Sequence, residues 1–120
     1  MPVVNPAPVK RNVSVSLLEQ IDVRVGTILA VEDIPSTRRL VLLRVDFGDH
    51  QRQIVAGLKQ ERNDPKEIEG RQALFVVNLE PRHMHGVVSE GMLFDIGYAD
   101  GIPPALAVPE RPIPNGSRAG

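Results

Sequence analysis

Apolar and polar residues alternate through several short stretches of this chain, the period of a strand with one buried face. Residues 40–47 set Val41, Leu43, Val45 and Phe47 on one side and Arg44 and Asp46 on the other, and predict a strand. A β-branched run over 23–31, interrupted by Gly26, predicts an earlier strand with a bulge or bend at the glycine. Residues 51–58, 72–79 and 91–97 bring the strands to five, and 105–108 offers a short sixth. Polar stretches at 32–39 and 80–90 are expected loops, and Gly48-Asp49-His50 is an expected turn.

Helix signals are few and local. Ser16-Leu17-Leu18-Glu19 has the spacing of a capping box and predicts one helical turn. Residues 64–70 predict a second short helix: Asp64 caps it, Pro65 takes the first helical position, Glu67 completes the box and Gly70 stops it. Proline placement divides the rest. Pro2, Pro6 and Pro8 lie early, Pro103, Pro104, Pro109, Pro112 and Pro114 lie late, and only Pro35, Pro65 and Pro81 fall between. The expected organisation is an N-terminal arm over 1–19, a core over 20–97 and a proline-rich C-terminal arm over 98–120 ending in a turn and a frayed end. Five strands with one short helix between the third and fourth is the order of an OB-fold barrel, so the expected class is mainly β.

Composition narrows the function classes. With 120 residues the chain fits one domain, and with no Cys it has neither disulfide framework nor thiol chemistry. No apolar run approaches the ~20 residues of a membrane span. The first fifteen residues carry no leader-like apolar stretch, so the cytoplasm is the expected compartment. Fourteen Lys and Arg against fifteen Asp and Glu give a net charge of −1. Any polyanion must therefore be met by a local patch.

The OB architecture says where that patch would lie, because ligands bind across strands two and three and the loops joining one to two and four to five. Those loops hold Arg38 and Arg39, and Arg82, His83 and His85; Arg44 and Arg52 come from the strands between. The plainer interpretation is an ordinary solvated surface, offset by Glu32, Asp33, Glu80 and Glu90. Rings are scarce: Phe47, Phe75, Phe94 and Tyr98, with no Trp. A single-strand reader stacks bases on exposed rings. Without such a platform, the expected nucleic acid is a folded RNA recognised by shape and backbone. Catalytic motifs are missing: no HExxH, nucleophile elbow, P-loop or dinucleotide fingerprint. No enzyme activity, metal or cofactor is expected. Leu40 and Leu42 place apolar groups opposite the core face of strand two, which, with the arms, suggests a homodimer.

Several blocks then carry a resemblance. Asp22-Val23-Arg24-Val25-Gly26, Val45-Asp46-Phe47-Gly48, Gln53-Ile54-Val55-Ala56-Gly57, Glu69-Gly70-Arg71 and Asn78-Leu79-Glu80-Pro81, followed by Gly86-Val87-Val88-Ser89-Glu90-Gly91-Met92-Leu93, resemble the tRNA-binding OB domain. That domain is found appended to methionyl-tRNA synthetase, within the phenylalanyl-tRNA synthetase β chain and as small free-standing dimers, the CsaA export chaperone among them. The resemblance implies an RNA side made of Asn78, Ser89 and Met92 with basic groups in the two loops. His83 stands where the family usually has Lys, and Glu90 where the tRNA-binding branch often has Gln. Arg38, Phe47-Gly48, Ser89-Glu90 and the Pro-Asn-Gly ending look like CsaA, whereas Val55-Ala56-Gly57 and Gly91-Met92 look like the tRNA-binding branch. The implied partners are tRNA and a second copy, or alternatively unfolded and pre-export polypeptides or an aminoacyl-tRNA synthetase.

Overall fold

The computed structural model describes residues 5–120; Pro2, the first proline of the expected N-terminal arm, lies outside the described residues. Among these residues ten strands follow one α-helix. These are α1 Val15–Leu18, β1 Val23–Asp33, β2 Val41–Asp46, β3 Gln51–Ala56, β4 Gln72–Val76, β5 Arg82–Met84, β6 Val87–Ser89, β7 Met92–Leu93, β8 Asp95–Ile96, β9 Ala105–Leu106 and β10 Arg118–Ala119.

β1 organises the molecule because it serves two partners in turn. Val23–Thr27 pairs antiparallel with β4, and Thr27–Asp33 pairs antiparallel with β2. β2 pairs with β3 and β4 with β7, giving the sheet order β3-β2-β1-β4-β7. The sheet curls until its ends meet: Val55 N–H donates to Ser89 Oγ at 3.0 Å and Glu90 N–H to the Gln53 carbonyl at 2.8 Å. The fold is mainly β and of the OB type. Ile28, Leu43, Val45, Ile54, Leu58, Ile68 and Phe75 fill its interior and are fully buried. Each such side chain contributes about 1.5–3 kcal/mol of burial. Phe47 stands edge-on to Phe75 with ring centroids 5.5 Å apart.

The bulge in β1 lies three residues beyond the glycine expected to form it. Ile28 pairs with Val45 and Ala30 with Arg44, so Leu29 is the extra residue. Gly26 serves another purpose. A Cβ there would sit 2.6 Å from Val45 Cγ1 and 2.8 Å from Phe47 Cε1, so the missing side chain lets β2 close over β1. Gly26→Ala is expected to cost about 1–3 kcal/mol through overpacking, measured as a lower urea midpoint with an unchanged slope.

Other expectations shift locally. Ser14 caps α1, its Oγ accepting from Leu17 N–H at 3.2 Å, while Ser16 lies inside the helix and Glu19 closes it. The helix over 64–70 is a single 3-10 turn, Pro65–Ile68, capped by Asp64, and Glu67 pairs with Arg62 at 2.7 Å instead of completing a box. The stretch 80–90 contains a β5–β6 hairpin rather than an open loop. The strand over 91–97 breaks at Phe94 into β7 and β8, the latter paired with β9. Leu40 is buried within the single chain at 8% exposure and Leu42 is half-buried, so this face no longer argues for a second copy.

The C-terminal end is not frayed. Arg118 and Ala119 pair with Arg24 and Val23, filling the edge of β1 that β2 leaves open. Gly116 N–H donates to the Val25 carbonyl at 2.8 Å, and Asn115 Oδ1 accepts from Thr27 Oγ1 and Gln72 Nε2, each at 2.9 Å. Arg24 hydrogen-bonds Asp22, and with Arg118 from the tail holds that carboxyl below its usual range.

Candidate nucleic-acid interface

The curl of the sheet brings the β1–β2 loop and the β5–β6 hairpin to the same side, as the OB order requires. Between them runs a groove of about 620 Å³, lined among others by Arg39, Gly57, Glu61, Arg82, Met92 and Tyr98. Arg39 comes from the loop before β2, Arg82 opens β5, Met92 opens β7 and Tyr98 begins the 3-10 turn Tyr98–Asp100. Arg39 lies over Gly57: a Cβ there would meet Arg39 Cγ at 3.5 Å, an ordinary van der Waals contact.

The expected site residues divide into two groups. Arg38, Arg39 and Arg82 are exposed, and among the described residues no carboxylate comes within ion-pair distance of them. Met92 is 44% exposed and offers the groove its apolar wall. His83 and His85 are exposed on the hairpin. His85 and Gly86, the two residues between the paired Met84 and Val87, take φ of +48° and +79°, the two positive values of a type I′ turn. Arg44 is exposed but pairs with Glu32 at 3.1 Å, which offsets its charge.

Arg52, Asn78 and Ser89 serve the scaffold instead. The Arg52 guanidinium donates to the Val77 and Glu90 carbonyls and to His50 Nε2, locking β3 against the end of the hairpin. Asn78 uses both ends of its amide: Oδ1 accepts from Asp22 N–H at 2.8 Å and Nδ2 donates to the Gln20 carbonyl at 2.7 Å. Ser89 is 4% exposed, and its hydroxyl accepts from Val55 N–H while donating to the Gly91 carbonyl at 3.2 Å. None of the three is among the residues that line the groove. Glu90 is likewise occupied, accepting from Gln53 N–H at 3.1 Å.

Three further groove residues lie outside the expected site. Tyr98 is 62% exposed, a single ring facing the groove from the segment assigned to the C-terminal arm. Glu61 and Asp95 both line the same groove. Burial, together with the hydrogen bond and charge of Asp95, pushes the Glu61 carboxyl up to about 7 against the opposing pull of Arg62 and Arg39. No motif joins positions so far apart in sequence. Among the described residues no group of His, Asp and Glu is arranged to hold a metal, and no helix is long and apolar enough to cross a membrane.

The tRNA binding domain family matches residues 23–118, most of the barrel and its tail. The chain belongs to that family. A methionine–tRNA ligase of Methanocaldococcus jannaschii is 39% identical over 106 residues, which is 88% of this chain but 16% of the ligase. This chain thus spans only a small part of the length of such relatives. Among solved structures, a MetRS-related protein from Pyrococcus horikoshii superposes with a TM-score of 0.85 at 32% identity, covering 92% of this chain and 100% of that one. The chaperone CsaA from Bacillus anthracis superposes with a TM-score of 0.76 at 26% identity, again covering 92% and 100%. Both likenesses fall on the tRNA binding domain itself, so they bear on the groove and its surroundings.

Proposed function

We propose that this tRNA binding domain grips folded tRNA without catalysis, as a homodimer in the cytoplasm, and recognises shape and backbone rather than sequence. The observation that carries this reading is the convergence of unpaired Arg39 and Arg82 on one groove of a molecule whose net charge is −1. Arg38 adds charge at one rim and His83 and His85 supply donors at the other. Contacts of this kind fix position on phosphate without reading bases. Competition tests it. Labelled bulk tRNA should be displaced by unlabelled tRNA, far less by an RNA duplex of equal length, and not by an unfolded polypeptide. Equal displacement by the duplex would refute recognition of shape.

The homodimer reading rests on a second surface, which shares only Phe94 with the groove. Val15, Leu17 and Leu18 of α1 are all exposed, Leu18 at 67%, and α1 buries no residue. They stand beside an apolar hollow of about 550 Å³ lined by Leu18, Ile21, Val23, Phe94 and Ala119. A capped helix pinned through Asn78 yet covering nothing suits a surface that a second copy buries. Leu18→Asp is expected to convert a dimer into a folded monomer, measured by sedimentation velocity with circular dichroism as the check on folding. An unchanged sedimentation coefficient would place the interface elsewhere.

A chaperone of the CsaA kind is the alternative, favoured by that same apolar hollow and by the likeness to CsaA. Apolar binding of a polypeptide should survive salt that strips RNA from a basic groove.

A further inference from the structure

Of the chain's three Phe and one Tyr, only the tyrosine is offered to solvent. Phe47 and Phe75 are buried and Phe94 is half-buried, whereas Tyr98 is 62% exposed. A lone exposed ring is ordinary on a protein surface, but this one is also held in place and set in a groove. Residues 97–102 close on themselves. Asp100 N–H donates to the Gly97 carbonyl at 3.0 Å, Ile102 N–H to the same carbonyl at 3.2 Å and Gly101 N–H to the Tyr98 carbonyl at 3.2 Å. Ile102 folds over Gly97, where a Cβ would stand 2.5 Å from its Cγ1. The turn thus satisfies its own backbone, and none of Tyr98–Asp100 is buried. The ring is presented rather than packed.

Two hollows meet at this ring. Beside the groove, a smaller hollow of about 380 Å³ is lined by Gln60, Ile102 and Pro103 among others. Arg39, Gly57, Glu61 and Tyr98 line both. Arg39 lies along Gly57, its Cγ, Nε and Cζ all within 3.7 Å of where a Cβ would stand. With Glu61 in both hollows and Asp95 in the groove, this end is unsuited to a second phosphate. It suits an uncharged planar group lying against the ring and attached to the one phosphate that Arg39 meets. An unstacked nucleobase on its sugar and phosphate is such a group.

We propose that Tyr98 is a stacking platform for one unstacked nucleobase of tRNA, whose phosphate Arg39 holds. This rests on the tRNA-binding reading and adds a contact to a base. A single ring takes one base rather than a strand, and stacking tolerates any base, so shape and backbone still decide which RNA binds.

Tyr98 is the only tyrosine and the chain has no Trp, so its intrinsic emission reports this one ring. Unlabelled tRNA, with its absorption corrected against free tyrosine amide, should quench that emission along the binding isotherm. Tyr98→Ala should weaken tRNA binding by about five- to thirtyfold. The salt slope should stay unchanged, because no phosphate contact is lost. Tyr98→Phe keeps the ring and should bind as tightly as the parent. Removing the unpaired 3′ nucleotides of tRNA locates the base: an effect of Tyr98→Ala that disappears puts it at the 3′ end, one that persists puts it in a loop, and both uphold the stack. Emission unchanged at saturation, full affinity in Tyr98→Ala, or an equal loss in Tyr98→Phe overturns the stack alone. Absence of tRNA binding by the parent protein overturns the tRNA reading and the stack with it.

Discussion

With alanine at both Arg39 and Arg82, affinity for bulk tRNA is expected to fall by about 30- to 150-fold at low salt. Each guanidinium stands unpaired at the groove, so a phosphate contact there sacrifices no existing ion pair. A charge-assisted hydrogen bond on an exposed, solvent-screened rim contributes roughly 1–1.5 kcal/mol, at or just below the low end of the usual range, and two are lost. The salt dependence should flatten as well, by about one unit of log–log slope for each contact removed. Every tRNA should be affected alike, because backbone contacts carry no sequence information. A loss confined to one tRNA would mean that these arginines read bases. Arg44→Ala makes the contrast, since Glu32 already engages that guanidinium and its removal should change affinity by no more than about twofold.

The largest stability effect is expected far from the groove. Asn115→Ala should destabilise the fold by about 2–4 kcal/mol. Its amide oxygen accepts from both Thr27 Oγ1 and Gln72 Nε2, joining β1, β4 and the tail at one point. All three residues are half-buried, so alanine would take the acceptor from Thr27 Oγ1 and from one of the two Gln72 Nε2 hydrogens, the other keeping the Ile113 carbonyl, and each loss costs roughly 1–3 kcal/mol where water does not replace it. The tail would then hold β1 less firmly. Thermal unfolding should show a midpoint lower by about 10 °C. A change of a degree or two would mean that the tail contributes little to the barrel.

Asn115 also marks where the sequence stopped being legible. Strand period gave β1 to β4, and the core face of β2 read correctly from Val41, Leu43, Val45 and Phe47, all buried. A burial period of two is a local property, visible wherever one face meets the core. The tail has no such period. Its place depends on an edge of β1 at Val23 and Arg24 that is free because pairing with β2 ends at Thr27, and nothing near Asn115 records that event. Gly26 drew attention for the right reason, a missing side chain, yet its role is close packing against Val45 and Phe47.

The groove was legible to a similar depth. Fold order alone brought Arg39 and Arg82 together. Which polar groups remain available at the surface was not legible, because it depends on hydrogen-bond partners distant in sequence. Asn78 is committed to Gln20 and Asp22, Ser89 to Val55 and Gly91, and Arg52 to Val77 and Glu90. Glu61 and Asp95 gave no sign because they come to one groove only after the barrel closes.

The most direct test of the central claim is a fluorescence-anisotropy titration against bulk tRNA at about 50 and about 200 mM salt, with an unfolded polypeptide measured in parallel. For two to four phosphate contacts, tRNA affinity should fall by about ten- to hundredfold between the two conditions, with the polypeptide unbound in both. Salt-tolerant binding of the polypeptide with no binding of tRNA would contradict the account and move this protein to the chaperone reading.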